Sequence, residues 1–209
     1  MNYTELKTNI QDICEMTFTN AQLDMFTDQA EQKIYNTVQI PALRRNQTGT
    51  LTNANKYLAL PADFLYVYSL AVLDSDGAYT YLLNKDVNFI REAYPTPTTT
   101  GLPVHYSLFS DSAIILGPTP NSGYTAELHY GYYPPSIVTA STTWLGDEFD
   151  SALLNGALIE AVRFMKGEAD VISNYEKLYQ QAITLLKNLG DGKLREDAYR
   201  TGQYRQEVG

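Results

Sequence analysis

The sequence predicts an α+β protein: a four-helix bundle with an antiparallel β domain inserted between its second and third helices, and an extended C-terminal tail. Three observations predict it. Apolar residues recur at helical spacing over the first forty positions and again after residue 143. Between them lie short segments that alternate apolar and polar residues, separated by turn-forming clusters of Gly, Pro, Asn, Asp and Ser. Beyond Gly190 no apolar period is sustained. The expected boundaries are therefore 1–43 for the first part of the bundle, 44–142 for the β domain, 143–189 for the second part of the bundle and 190–209 for the tail.

Residues 2–15 read as a helix with Tyr3, Leu6, Ile10 and Ile13 on one face. Asn2 with Glu5 three residues on is a capping-box pattern, in which each residue covers a free backbone N–H of the other. Thr19 with Gln22 repeats that pattern and opens a second helix. Its inner face is Leu23, Phe26, Ala30 and Ile34, with Tyr35 and Val38 alongside, and Pro41 ends it.

The period then changes to two. Tyr57 to Leu60 is expected as a short strand, Pro61-Ala62-Asp63 as a turn and Phe64 to Leu73 as a long strand. Asp74-Ser75-Asp76-Gly77 is a hairpin signal returning into Ala78 to Leu83. Asp86 to Tyr94 reads as one short helix. Residues 95–103 and 117–123 read as loops by composition, flanking strands over Val104 to Phe109 and Ala113 to Leu116. From Tyr124 to Tyr133 the alternation is clear: Tyr124, Ala126, Leu128, Tyr130 and Tyr132 face one way, and Thr125, Glu127 and His129 the other.

Trp144 to Gly167 is expected as one central helix. Trp144, Phe149, Leu153, Gly156, Ala157 and Phe164 are its expected packing residues. Leu154, Leu158, Val162 and Met165 make a second stripe, so the helix should be buried on more than one face. Gly156 costs about 1 kcal/mol of helix propensity against alanine, which points to a close packing contact. Asp147, Glu148 and Asp150 suit a helix start, and Arg163 and Lys166 a helix end. In the fourth helix, Val171, Tyr175, Leu178, Ala182, Leu185 and Leu189 alternate spacings of four and three, an a/d seam. Gly190-Asp191-Gly192 is expected to stop that helix.

Composition excludes several functions. The chain has 209 residues and a formal net charge of −9, which argues against gripping nucleic acid through its phosphates. It leaves room for an acidic channel that DNA crosses without sticking. Cys14, the only cysteine, cannot form an internal disulfide and fits a reducing compartment. No run of about 18 apolar residues exists to span a membrane, and the N-terminus does not read as a signal peptide. Tyrosines number 17 against 7 phenylalanines, and tyrosine suits half-buried strands and interfaces.

No catalytic constellation stands out, so neither an enzyme activity nor a cofactor or metal is expected. His105 and His129, the only histidines, carry no partner at a metal-ligand spacing and read as strand residues. The acids at 147, 148 and 150 read as helix capping before a metal site. There is no phosphate loop and no nucleophile elbow. In the tail, Arg195, Arg200 and Arg205 recur with Tyr199 and Tyr204, residue types enriched at protein interfaces. A solvated end explains the same pattern, and these residues alone leave the two open.

Three segments resemble the portal-adaptor, or head-to-tail connector, proteins of tailed bacteriophages, including the tail tubular protein A type. They are Leu60 to Leu70, Thr100 to Pro135 and Trp144 to Lys166. The matching pattern is Pro61, Asp63, Phe64 and Leu65 at the opening of the β domain; Gly101, Pro103 and Tyr106; Pro118 and Pro120; Tyr132 and Tyr133; and Trp144-Leu145 before a helix rich in small residues. The resemblance implies a structural virion protein of the neck and tail, assembled in the host cytoplasm. It implies a homo-oligomer, a twelve-fold ring (a dodecamer) on the portal protein, with a tail or nozzle protein below. Double-stranded DNA would pass through during ejection without sequence-specific binding, and no membrane is involved. In such proteins the C-terminal extension runs onto the portal, which makes Leu194, Arg195, Tyr199, Arg200, Tyr204 and Arg205 the candidate docking residues here. The alternative is a tyrosine-rich carbohydrate- or receptor-binding module of a tail structure; a small hydrolase would need a nucleophile–base pair that the sequence does not show.

Overall fold

The computed structural model describes residues 1–96 and 98–194, with Leu194 placed by its backbone. The fold is α+β and divides into two compact units. One comprises Met1–Leu43 and the chain from Pro134 onward; the other is Arg44–Tyr133.

In the helical unit, α1 (Tyr3–Cys14) and α2 (Asn20–Thr37) both start with the expected capping boxes. Leu6 and Ile10 of α1 are fully buried, whereas Ile13, expected beside them, is 45% exposed. On α2 the face Leu23, Phe26, Ala30 and Ile34 is buried, with Tyr35 and Val38 at its edge. α2 ends before Pro41, which instead opens a 3-10 turn, Pro41–Leu43.

The central helix departs from expectation. It is two helices, α5 (Trp144–Glu148) and α6 (Asp150–Phe164), broken at Phe149, whose φ of −142° and ψ of 46° are not helical. A short α4 (Ile137–Ala140), capped by Ser136 and lying where a linker is expected, precedes them. Leu153 and Ala157 are fully buried and Gly156 is buried, while Trp144 and Phe149 are half-buried against the same core. Phe164 is 46% exposed, yet its ring lies 5.5 Å from Phe26. α6 packs on α1, α2, α5 and α7. A Cβ built on Gly156 would stand 3.0 Å from the Ala30 Cβ and 3.3 Å from the Tyr179 ring, so this glycine marks where α2 and α7 both close on α6.

The last helix, α7, spans Ala169–Leu194 and runs straight through Gly190 and Gly192. Gly190 is therefore not a stop. A Cβ there would lie 2.7 Å from both the Gln39 carbonyl oxygen and Ile40 Cγ2, so the missing side chain lets α7 press against the chain that follows α2. The buried face of α7 is Tyr179, Ala182, Ile183, Leu186 and Gly190.

The β unit holds two four-stranded sheets. The first is antiparallel, ordered β1 (Arg44–Thr50), β10 (Thr125–Tyr132), β3 (Phe64–Leu73), β4 (Tyr79–Tyr81). The second is ordered β2 (Tyr57–Ala59), β8 (Ala113–Gly117), β7 (His105–Ser110), β5 (Leu83–Asn84), with β5 parallel to β7. β6 (Thr100–Gly101) and β9 (Thr119–Pro120) pair in parallel inside the two segments expected as loops. The inner faces of the two four-stranded sheets share one core: Leu70, Val72, Ala126, Leu128 and Tyr130 from the first sheet, and Tyr106, Ile114 and Leu116 from the second. The helix α3 (Val87–Ala93) starts at the Asp86 cap.

Two features of this unit were hidden in the sequence. β1 reads RRNQTGT, all polar, and is a strand because β10 offers it a full antiparallel edge. Polar residues there suit an edge strand, which must not recruit further strands. The stretch expected as one strand from Ala78 to Leu83 splits at Leu82: the Leu82 N–H donates to Leu70 of the first sheet, and the Leu83 N–H to Val104 beside the second.

Candidate interaction surfaces

Most of the family-like pattern residues hold the fold. Asp63, in the turn before β3, accepts from the Tyr130 hydroxyl at 2.9 Å and from Arg45 Nη1 at 2.5 Å. One carboxylate thus ties the turn before β3 to the edge strand β1 and to β10. Burial pushes the Asp63 carboxyl up, but the hydrogen bonds from Tyr130 and Arg45 outweigh it and hold it below the usual range. Gly101 pairs with Pro120, Tyr106 is buried in the β core and Leu145 is fully buried in the helical core.

The candidates for chemistry stay apart. The Tyr94 hydroxyl meets His105 Nδ1 at 2.9 Å, and Phe89 packs edge-on against the same imidazole. His129 lies against Tyr68 with ring centroids 5.2 Å apart. Asp147 lies in the first turn of α5 and Asp150 in that of α6, while Glu148 reaches Lys193 at 3.4 Å. Among the described residues no three His, Cys, Asp or Glu side chains converge as a metal site requires. No described helix is long and apolar enough to cross a membrane.

One buried carboxylate works inside the helical unit. Glu31, 3% exposed, accepts the Ile137 N–H at 3.0 Å and so orients the start of α4. Burial pushes its carboxyl up, against hydrogen bonds from Ser136 and Ile137 that favour the charged form.

The β unit treats its cations in an unusual way. Each of its five Lys and Arg side chains stands over an aromatic ring: Arg44 over Tyr68, Arg45 over Tyr132, Lys56 over Tyr57, Lys85 over Phe89 and Arg91 over Phe109. Only Arg45 also pairs with a carboxylate among the described residues. Lys56, Tyr57, Phe109 and Arg91 form a continuous row, with Lys56 5.5 Å from the Tyr57 ring, the two rings 5.2 Å apart and Arg91 5.7 Å from the Phe109 ring. Tyr57 is 39% and Phe109 41% exposed. The row is invisible in the linear sequence because Lys56 and Tyr57 come from the residue before β2 and its first position, Phe109 from β7 and Arg91 from α3. No linear spacing links them.

The a/d seam expected on α7 is not its buried face. Val171, Leu178 and Leu185 are 39%, 47% and 63% exposed; of the six positions only Ala182 is buried. The helix carries two apolar stripes, and the core takes the one rotated by about one residue. Of the candidate docking residues, Leu194 ends α7, and Arg195, Tyr199, Arg200, Tyr204 and Arg205 lie outside the described residues.

A family model described as SU10 adaptor protein matches residues 1–206. No curated protein matches the sequence.

Proposed function

The chain belongs to the SU10 adaptor protein family, and we propose on that basis that it forms the adaptor ring joining a phage portal to its tail. At the coarser level it is a structural adaptor protein of a bacteriophage, a virion component. The finer reading is a tail tubular protein A-like connector: twelve copies on the portal in the neck, contacting a tail or nozzle protein and lining the channel through which DNA leaves. The family match over nearly the whole chain carries this reading.

Several features support it. The long helices α1, α2, α6 and α7 act in this reading as the four-helix wall of each subunit, with the β unit inserted after α2. Net charge of −9 suits a conduit that must not hold DNA. The exposed stripe Val171, Leu178 and Leu185 on α7 is the kind of apolar surface that protein contacts cover. We assign no catalytic role, because the two histidines are engaged with aromatic side chains in different places. The portal contact falls to the C-terminal residues, with Tyr199, Arg200, Tyr204 and Arg205 as anchors.

The test is a pull-down on assembled portal rings with residues 195–209 deleted. A clean truncation starts at Arg195, because Gly190 is still buried against Gln39 and Ile40. The expected result is an unchanged circular dichroism spectrum and loss of most portal binding. Tyr199→Ala or Tyr204→Ala should each weaken attachment by about 1–2 kcal/mol, as interface anchors do. Full binding by the folded truncation removes the tail from the contact.

The carbohydrate-binding reading draws on one observation: Tyr79 and Tyr81 stack side by side on the edge strand β4, 52% and 65% exposed. A glycan array on the purified chain separates the two, since an adaptor should leave it blank.

A further inference from the structure

Two exposed surfaces of this chain lack a partner among the described residues and are complementary in kind. The first is the Lys56–Tyr57–Phe109–Arg91 row: two exposed rings flanked by two cations, neither paired with a carboxylate among the described residues. The second is the C-terminal end of α1. There Ile13 is 45% and Met16 47% exposed, and Asp12 and Glu15 stand exposed beside them without a paired cation among the described residues. Gln11, Asp12, Glu15, Met16 and Thr17 line an open depression of about 500 Å³ at that end.

We propose that the α1 end of one copy, Asp12, Ile13, Glu15 and Met16, docks on the Lys56–Tyr57–Phe109–Arg91 row of a neighbouring copy. The inference rests on the ring reading above, and names the surfaces by which subunits meet. A thioether and a branched aliphatic against two aromatic rings is a favourable apolar contact, and methionine sulfur packs well at ring edges. The cations are already held over the rings, so less side-chain freedom is lost when carboxylates arrive than with free lysine and arginine tips. Charge decides the occupant. The chain carries 24 acidic residues against 15 basic ones, so two copies repel each other by net charge, and this row of two cations is a place where an acidic helix end is welcome. The two surfaces differ, so the contact is heterologous and propagates from copy to copy, as a ring requires and a two-fold dimer does not. Asp86, Glu92 and Asp111 belong to the elements around the row, and they dilute its positive charge enough to favour a protein over a polyphosphate.

The experiment mixes two full-length chains, Met16→Cys and Phe109→Cys, at equal amounts, concentrated alone and on portal rings. After mild oxidation, mass spectrometry identifies the linked peptides, with native Cys14 as an internal reference. The expected result is a disulfide joining the two substituted positions in excess of either homotypic link. Adding Lys56→Glu and Arg91→Glu should lower that yield by roughly tenfold, and mixing this variant with an Asp12→Lys/Glu15→Lys chain should recover it. All six substituted positions are exposed or partly exposed, and circular dichroism verifies the folding of each variant. Homotypic links as abundant as heterotypic ones, or charge reversal without effect, overturn the contact. So does a reversal that leaves the link intact but abolishes binding of a single-stranded oligonucleotide. If the wild-type chain fills portal rings and no heterotypic link forms, the ring reading stands and this inference falls. If the link forms but the chain ignores portal, the contact stands and the adaptor reading falls.

Discussion

The Tyr130 hydroxyl and the Asp63 carboxylate are 67 positions apart in sequence and 2.9 Å apart in space. Tyr130 is fully buried, and its other neighbour at the hydroxyl is Gln47 at 3.3 Å. Asp63 therefore serves the core of the β unit from a turn at its surface.

Tyr130→Phe should destabilise the β unit by about 1 kcal/mol, the usual worth of one lost hydrogen bond. Asp63→Asn should lower the melting temperature at neutral pH and flatten the acid limb. The folded Asp63 carboxyl is held below its unfolded value of about 3.9, so its contribution is complete above that value. It is lost as pH falls through the folded value, where wild type and Asp63→Asn should converge. Urea unfolding of both chains across the acid range checks this; a gap that stays constant with pH refutes the assigned role.

Gly156→Leu should cost about 1–3 kcal/mol through overpacking, because Ala30 and Tyr179 already touch the space a Cβ would fill. Gly156→Ala is the finer measurement. It gains about 1 kcal/mol of helix propensity and loses part of it to the 3.0 Å approach of the Ala30 Cβ, so its net effect should lie within about 1 kcal/mol of zero. Thermal melts of both variants decide; an unaltered midpoint for the leucine variant means that α2 and α7 do not close there.

Neighbouring leucines on α7 should behave oppositely. Leu186 is fully buried and Leu185 is 63% exposed. Leu186→Ala should cost about 2–5 kcal/mol, and Leu185→Ala should stay within about 0.5 kcal/mol. Reversed values in denaturant titrations would mean that the expected a/d seam, not the observed face, meets the core.

In solution without portal, the chain should sediment largely as a monomer at dilute concentration, since the proposed subunit contact joins small surfaces and the net charge of −9 opposes association. Raising salt should screen both the repulsion and the proposed ion pairs, so assembly should depend on the portal template more than on ionic strength. Analytical ultracentrifugation showing a stable closed ring of the purified chain contradicts this order of events.

What the sequence determined by itself is local. The capping boxes at Asn2–Glu5 and Thr19–Gln22 form as written, because each closes within four residues. β3 spans Phe64–Leu73 as expected and β10 alternates as expected, because a strand's two faces are set by its own side chains. The tertiary structure decided everything that depends on a partner. β1 is a strand because β10 offers it an edge, since RRNQTGT has no apolar residue to mark a buried face, and its two threonines alone are too weak a signal. Gly190 looks like a helix stop until Gln39 and Ile40 press against it, when the absent side chain becomes what lets the helix continue. α7 carries two apolar stripes, and spacing alone cannot say which one the core takes: both satisfy the helical period, and the surfaces α7 meets, α6 and the chain that follows α2, select Tyr179, Ile183 and Leu186 over Leu178 and Leu185. The cation–aromatic row is illegible for the same reason, because three separate elements build it and no element carries the signal.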